Sequence, residues 1–228
     1  MLFKWIGGKK WLSEKLSHTV STNFNKNTTY IEPFIGGMGA FLSILPTLQK
    51  NNIENVILND INETIITTFK LVKEDPEKVY KNYFVFENKY LKSVPVEVYN
   101  YHKTKDKEEV KKLLQNSCSV FNDTKKRFNV LKLLNKRSII EDFEMVGAFL
   151  FLQDHCFNGV YRENSKGEYN TPFNWDNKKY YPENKKQTIN DFSKLFNDFN
   201  IVFENLDVFK LLNKYKHLKN EAFLYLDP

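Results

Sequence analysis

Residues 29–45 read "TYIEPFIGGMGAFLSIL", and the order of residue types in this stretch decides the fold. Thr29–Glu32 is a short β-prone run, Gly36, Gly37 and Gly39 supply a turn, and from near Ala40 apolar residues recur at helical spacing. A second apolar run, Val56–Leu58 in "NVILNDIN", ends in Asn59 and Asp60. Strand, glycine turn, helix and a strand ending in an acid make one βαβ unit. Working outward, "ETIITTFKLVKEDPEKVYKNY" continues at helical spacing, with Pro76 separating two helices. Near the end of the chain, "NIVFENLDVFKLL" and "AFLYLDP" return to short strands.

Between these parts the character changes to helical segments rich in Lys, Asn and aromatics. The expected organisation is an α/β domain over residues 1–68 and 182–228, interrupted by a mainly helical insertion over 69–181. Within the insertion, "FEMVGAFLFLQDHCF" is apolar enough for a buried helix. Behind it, over about 155–174, Val160-Tyr161 and Glu168-Tyr169 flank the turn former Asn164–Gly167, the signature of a β-hairpin.

The chain has 228 residues, 41% of them hydrophobic, with 20 Phe and 12 Tyr, so it can build a core and is not a disordered polymer. Lys and Arg total 34 against 28 Asp and Glu, and the net charge of +6 favours a polyanionic partner without demanding one. Cys118 and Cys156 form no CxxC pair and read as reduced thiols of a cytoplasmic protein. His18, His102, His155 and His217 lack metal-ligand spacing, so no metal site is expected. Lys4, Lys9 and Lys10 interrupt any signal-peptide apolar region, and no apolar run approaches the length of a bilayer span.

Three pieces carry chemistry. Glycines after a strand let the backbone turn sharply and approach a ligand where a Cβ would collide. Asp60 follows Gly39 by 21 residues, where an acid can accept hydrogen bonds from both ribose hydroxyls of a nucleoside. The alternative is a tight turn with a helix-capping aspartate. A phosphate loop of the Walker type is disfavoured, since no Gly-Lys-Ser/Thr follows. In "FKWIGGKKWL", Trp5 can lie against a flat or cationic ligand and Lys9 can reach a carboxylate; the alternative is an N-terminal turn with a buried tryptophan. In the closing "LDP", the Asp227 carboxylate and the Pro228 carbonyl are two neighbouring acceptors able to grip both hydrogens of an exocyclic amine. Adenine N6 is a poor nucleophile because its lone pair is delocalised into the ring. Holding its N–H bonds out of conjugation, while stabilising the positive charge that develops, makes it reactive.

Together "KWIGGK", "IEPFIGG", "NDIN", "FNGVYREN-KGEYNTPF" and the terminal Asp-Pro, in this order, resemble the Dam-type (D12 class) DNA adenine-N6 methyltransferases. The resemblance implies a Rossmann-like S-adenosylmethionine-dependent methyltransferase sheet, incomplete at its C-terminal side, with an inserted helical DNA-recognition domain. It implies S-adenosylmethionine as cofactor, held by Trp5, Lys9, Phe34, Gly36, Asp60 and Asp227, and no metal. Asp227 and Pro228 take the catalytic amine-holding role. The partner implied is double-stranded DNA, with the adenine swung out of the duplex, and a cognate restriction endonuclease where the enzyme serves restriction–modification. Phe157 and Val160 match positions that insert among or pack against bases, Arg162 a base-reading arginine, and Lys4 a lysine at the recognition site. For Phe157 and Val160 the alternative is packing under the hairpin. Lys125-Lys126-Arg127 and Lys178-Lys179 are expected to touch phosphate or only solvent.

Two departures from the family pattern stand out. Met38 occupies a position where many relatives have a small residue, and the second proline and tyrosine of the family's D-P-P-Y do not follow Asp227-Pro228. The strand ending at Asp227 is then expected to be an apolar edge, with poor folding or weak catalysis unless a second segment completes the sheet. Three alternatives stay open: a catalytically silent remnant that binds DNA or S-adenosylmethionine, a cytosine-N4 methyltransferase, and a nicotinamide-dependent enzyme that leaves the hairpin without a role. Similarity of the hairpin to GATC-modifying relatives makes GATC the first target to test, although "NWDNKKYY" after Phe173 departs from them.

Overall fold

The computed structural model describes residues 1–5, 13–23, 28–98, 107–175, 181–218 and 221–227. Lys9, Pro228 and the Lys178-Lys179 pair lie outside the described residues. The elements run α1 (Ser13–Asn23), β1 (Thr29–Glu32), α2 (Gly39–Lys50), β2 (Asn55–Asn59), α3 (Glu63–Glu74), α4 (Pro76–Ser93), α5 (Lys107–Leu113) and α6 (Gln115–Lys132). They continue with α7 (Ile139–His155), α8 (Pro182–Asp198), β3 (Asn200–Glu204), α9 (Val208–Lys214) and β4 (Ala222–Leu224). The chain divides into two compact units. One comprises Met1, Trp5–Glu74 and Asp191–Pro228; the other comprises Leu2–Lys4 and Asp75–Asn190.

The first unit is built on a four-stranded parallel sheet in the order β3-β2-β1-β4. β1 pairs with β2 on one side (Tyr30 opposite Val56) and with β4 on the other (Tyr30 opposite Phe223). β1 and β2 are short runs covered on both faces, so nearly every residue in them is buried. One face carries Tyr30 against Phe41 of α2 and Phe203 against Phe69 of α3. On the other face Ile31 and Ile57 form a cluster with Leu211 of α9. From β1 the chain moves by way of α2 to β2 and then β3, and later returns to the opposite side of β1 as β4. The carboxyl ends of β1 and β4 thus flank a topological switch point, where open α/β sheets bind ligands. Among the described residues β4 pairs with β1 alone, and Leu224 and Leu226 are exposed.

The second unit packs α4, α6 and α7 around an aromatic core. Almost every side chain of α7 from Phe143 to His155 is buried, as the apolar run predicts. Ser138 and Glu141 close a reciprocal capping box at its start. Gly147 lets α7 approach α4 closely, since a Cβ there would lie 2.6 Å from the Asn82 carbonyl carbon. Among the described residues no helix is long and apolar enough to cross a membrane.

Candidate active site

At the carboxyl end of the sheet, three adjacent strands each deliver an acid: Glu32 from β1, Asp60 just beyond β2, and Asp227 just beyond β4. Glu32 shares a face with Tyr30 because side chains two apart on a strand point the same way. The Tyr30 hydroxyl accordingly donates to Glu32 Oε2 at 2.7 Å, and both side chains are buried. Burial pushes the Glu32 carboxyl up to about 8; the Tyr30 hydroxyl opposes that shift, and the Asp227 charge adds to it. Asp227 therefore lies within electrostatic reach of Glu32, and it is hydrogen-bonded to the Tyr225 side chain. Sequence reasoning missed Glu32; an acid closing a strand before a glycine turn is visible, but its burial is not.

Asp60 is tied to the glycine turn itself. Its Oδ2 accepts the Gly36 N–H at 2.9 Å and its Oδ1 accepts the Asn62 N–H at 2.8 Å. Burial raises its carboxyl above the ordinary range, and the two backbone donors pull it back. The helix-capping role falls to the neighbour, because Asn62 Oδ1 accepts the Thr64 N–H at the start of α3. Asn59, also missed, fastens three segments: its Nδ2 donates to the Pro33 and Leu206 carbonyls, and its Oδ1 accepts the Leu206 N–H.

The turn holds left-handed backbone at Gly36 (φ 48°) and at Met38 (φ 65°). Glycine takes that conformation freely; methionine does so at a cost, offset here by complete burial of its side chain. Trp5 lies on the turn. A Cβ on Gly36 would come within 2.8 Å of its ring, and one on Gly37 within 2.5 Å of its Cβ. Trp5 is half-buried, not sealed in a core, and Phe34 is likewise half-buried. An aromatic ring on a glycine turn, beside a strand-end carboxylate, is a donor set that fits a nucleoside cofactor.

The other predicted residues belong to the helical unit. After α7 the chain makes a 3₁₀ turn, Phe157–Gly159, with Asn158 (φ 56°) and Gly159 (φ 66°) left-handed. The segment that follows doubles back, but as isolated antiparallel bridges (Cys156 with Phe173, Glu163 with Tyr169), not as two regular strands. Side chains replace part of the ladder: Asn164 Oδ1 accepts the Lys166 and Glu168 N–H groups, and Thr171 Oγ1 donates to the Val160 carbonyl. Phe157 is 51% exposed, so packing under the hairpin does not account for it. Val160 is half-buried. Arg162 is exposed, and its Nε donates to Asn170 Oδ1 at 2.9 Å. Lys4 joins them because Leu2–Lys4 is anchored in this unit: Lys185 Nζ donates to the Leu2 carbonyl, and Phe3 packs on Phe149. The Lys4 stem then lies across Gly159, where a Cβ would come within 2.6 Å of it. Of the basic run, Arg127 grips Glu144 with both arms at 2.7 and 2.6 Å, and Lys126 faces Asp123 at 3.4 Å. Cys118 and Cys156 are free thiols.

The model of the D12 class N6 adenine-specific DNA methyltransferases matches residues 5–228. Type II methyltransferase M.MjaIII of Methanocaldococcus jannaschii is 29% identical over 228 residues, spanning 99% of this chain and 67% of that protein. The DNA adenine methylase of Vibrio cholerae is 28% identical over 183 residues, 79% of this chain and 50% of the methylase. Type II methyltransferase M1.LlaDCHI of Lactococcus lactis subsp. cremoris is 24% identical over 226 residues, 99% of this chain and 63% of its own length. The chain thus spans about half to two thirds of the length of these relatives. With a parallel α/β sheet whose strand-end Asp60 is bonded to a glycine turn, and with a family match over nearly its whole length, the chain belongs to the D12 class of N6 adenine-specific DNA methyltransferases.

Proposed function

We propose that this chain transfers a methyl group from S-adenosylmethionine to N6 of an adenine swung out of duplex DNA. The observation that carries the reading is the arrival of Asp60 beyond β2 and Asp227 beyond β4, on either side of β1, at the carboxyl end of the parallel sheet. Asp60 is bonded to the glycine turn, and Asp227 is close enough to Glu32 to perturb it. Trp5, Phe34, Gly36 and Asp60 would hold the cofactor, with Lys9 reaching its carboxylate. Asp60 keeps lone pairs for the ribose hydroxyls, because each carboxylate oxygen can accept more than one bond. The bound cofactor supplies an electrophilic methyl on a sulfonium. Asp227 accepts one N6–H and the Pro228 carbonyl the other, which turns the nitrogen lone pair out of conjugation and stabilises the positive charge that develops. The remainder of the rate comes from holding the amine in line.

Phe157 projects from a turn fixed by the helical core, which suits a side chain that enters the base stack when the adenine leaves it. Arg162 offers a fork for guanine O6 and N7, and Lys4, whose stem lies across Gly159, adds charge to the same segment. GATC is the target to test first. The test incubates the purified chain with methyl-labelled cofactor and plasmid, then analyses the nucleosides. Label on N6-methyladenine that disappears in Asp227→Ala supports the reading. Label on N4-methylcytosine replaces it with the cytosine enzyme, and binding of DNA or cofactor with no label replaces it with a silent binder.

A further inference from the structure

The helical unit holds a buried polar cluster that the proposed reaction does not use. Glu87 of α4 and His155, the last residue of α7, are both buried, with His155 Nε2 and Glu87 Oε2 2.7 Å apart. The Tyr83 hydroxyl donates to the same Oε2 at 3.2 Å. The imidazole is wedged against Tyr90 and Phe151, with ring centroids 3.9 and 4.6 Å away. Glu87 Oε1 and both amide atoms of Gln153 have no hydrogen-bond partner among the described residues. Such a cluster is a poor source of stability in an aromatic core, since apolar residues of similar volume do as well or better. What it does supply is direction, because a hydrogen bond sets the orientation of a side chain where apolar contact leaves it adjustable.

His155 stands where direction matters. Its carbonyl accepts the Asn174 N–H at 2.9 Å, the next residue, Cys156, bridges Phe173, and the Phe157 N–H donates to the Pro172 carbonyl at 2.9 Å. Both arms of the recognition segment are therefore joined at the residue whose ring is held by Glu87. We infer that the Glu87–His155 bond anchors the base of this segment and fixes the direction in which Phe157 leaves the core, making His155 a positioning residue for sequence discrimination. The inference rests on the proposed reading that Phe157 enters DNA.

The test replaces the pair as a whole, Glu87→Leu with His155→Phe, which leaves no orphaned carboxylate. Amide hydrogen exchange is read at Phe157 and Asn174 against the interior of α7. The anchor predicts exchange at least tenfold faster at Phe157 and Asn174, with the α7 interior unchanged; unchanged protection at those two amides overturns it. On DNA, kcat/KM is compared between a GATC duplex and duplexes with one base replaced. Discrimination is expected to fall about tenfold, while Glu87→Gln, which still accepts a hydrogen bond from the imidazole, retains it. Should the double variant not fold, Glu87→Gln combined with His155→Phe, which keeps a neutral polar group at 87 but leaves no bond between the two side chains, takes its place and must show the same local loss of protection, or the anchor is wrong. Phe157→Ala separates the two readings. If it leaves methylation and DNA binding untouched, the DNA-contacting role of the turn fails, and the exchange data still judge the anchor. If it lowers methylation while the double variant discriminates normally, only the positioning role fails.

Discussion

Gly37 in the sheet unit and Gly147 in the helical unit stand under the same steric demand. A Cβ would come within 2.5 Å of Trp5 at the first and within 2.6 Å of the Asn82 backbone at the second. Their surroundings differ. Gly147 lies where α7 meets the Asn82–Tyr83 backbone of α4, so its close approach serves helix packing. Gly37 lies at the carboxyl end of a parallel strand, where the backbone turns left-handed and the strand-end acids gather. Close backbone approach yields a site only where the geometry also presents polar groups to a ligand.

The comparison is most strongly tested at Glu32, the buried acid of the sheet unit. Its folded-state carboxyl keeps its proton to about pH 8, against an ordinary value of 4.5, so the folded chain binds the proton more tightly than the unfolded one. This group's contribution is then greatest at acidic pH, declines as pH rises from about 4.5 to 8, and is level above that. Between pH 5.5 and 8.5 the wild type should lose about 3 kcal/mol more than Glu32→Gln in urea denaturation. Equal losses in the two proteins would mean that Glu32 is not sealed as described.

Asp227 should give the next largest effect, of a different kind. Replacing it with Ala would remove the proposed acceptor of the amine, which should lower kcat by about 10²–10³-fold while the unfolding midpoint scarcely moves. A variant with normal turnover would remove β4 from the chemistry. Gly147→Ala should do the reverse. It should cost about 1–3 kcal/mol of stability, because the colliding atoms are backbone and cannot rotate aside, yet turnover per folded molecule should stay unchanged. Gly36→Ala should fall between them, losing cofactor affinity and stability together. Adding Trp5→Ala should recover only the stability lost to the collision with the ring, leaving the strain of φ 48° and no gain in cofactor affinity. If Gly147→Ala altered kcat as much as Gly36→Ala, the separation of packing glycines from site glycines would be lost.

How far this could be read from the sequence follows from whether the deciding interactions are local. Thr29–Glu32 and Val56–Leu58 were readable as strands because a parallel strand covered on both faces is a continuous apolar run between turn formers. The glycine turn and Asp60 were readable because their spacing is a property of one βαβ unit. Three features depend on distant partners and left no local trace. Asn59 joins residues 33 and 206, Glu32 becomes a buried acid only once β1 is flanked by β2 and β4, and Gly147 answers to the backbone of residue 82. The hairpin was legible as a reversal but not as broken pairing, since left-handed Asn158 is a choice that asparagine permits without announcing.

The smallest expected effect concerns a place where sequence and structure part. Lys125-Lys126-Arg127 reads as a basic run open to phosphate, yet Arg127 is held by Glu144, which neutralises most of its charge at close range. The pair is at the surface, where such bridges are worth at most about 1 kcal/mol. Glu144→Ala should therefore hardly change the unfolding midpoint. It should, however, release a guanidinium next to Lys126 on the exposed surface of α6. If that face meets the duplex, each newly engaged phosphate adds about 0.9 to the slope of log affinity against log salt, so the slope should steepen by about one. Non-specific DNA binding should tighten a few-fold at low salt and return to the wild-type value at high salt. A slope that does not move would assign the whole run to solvent and leave phosphate contact to the side of the helical unit that carries Lys4 and Arg162.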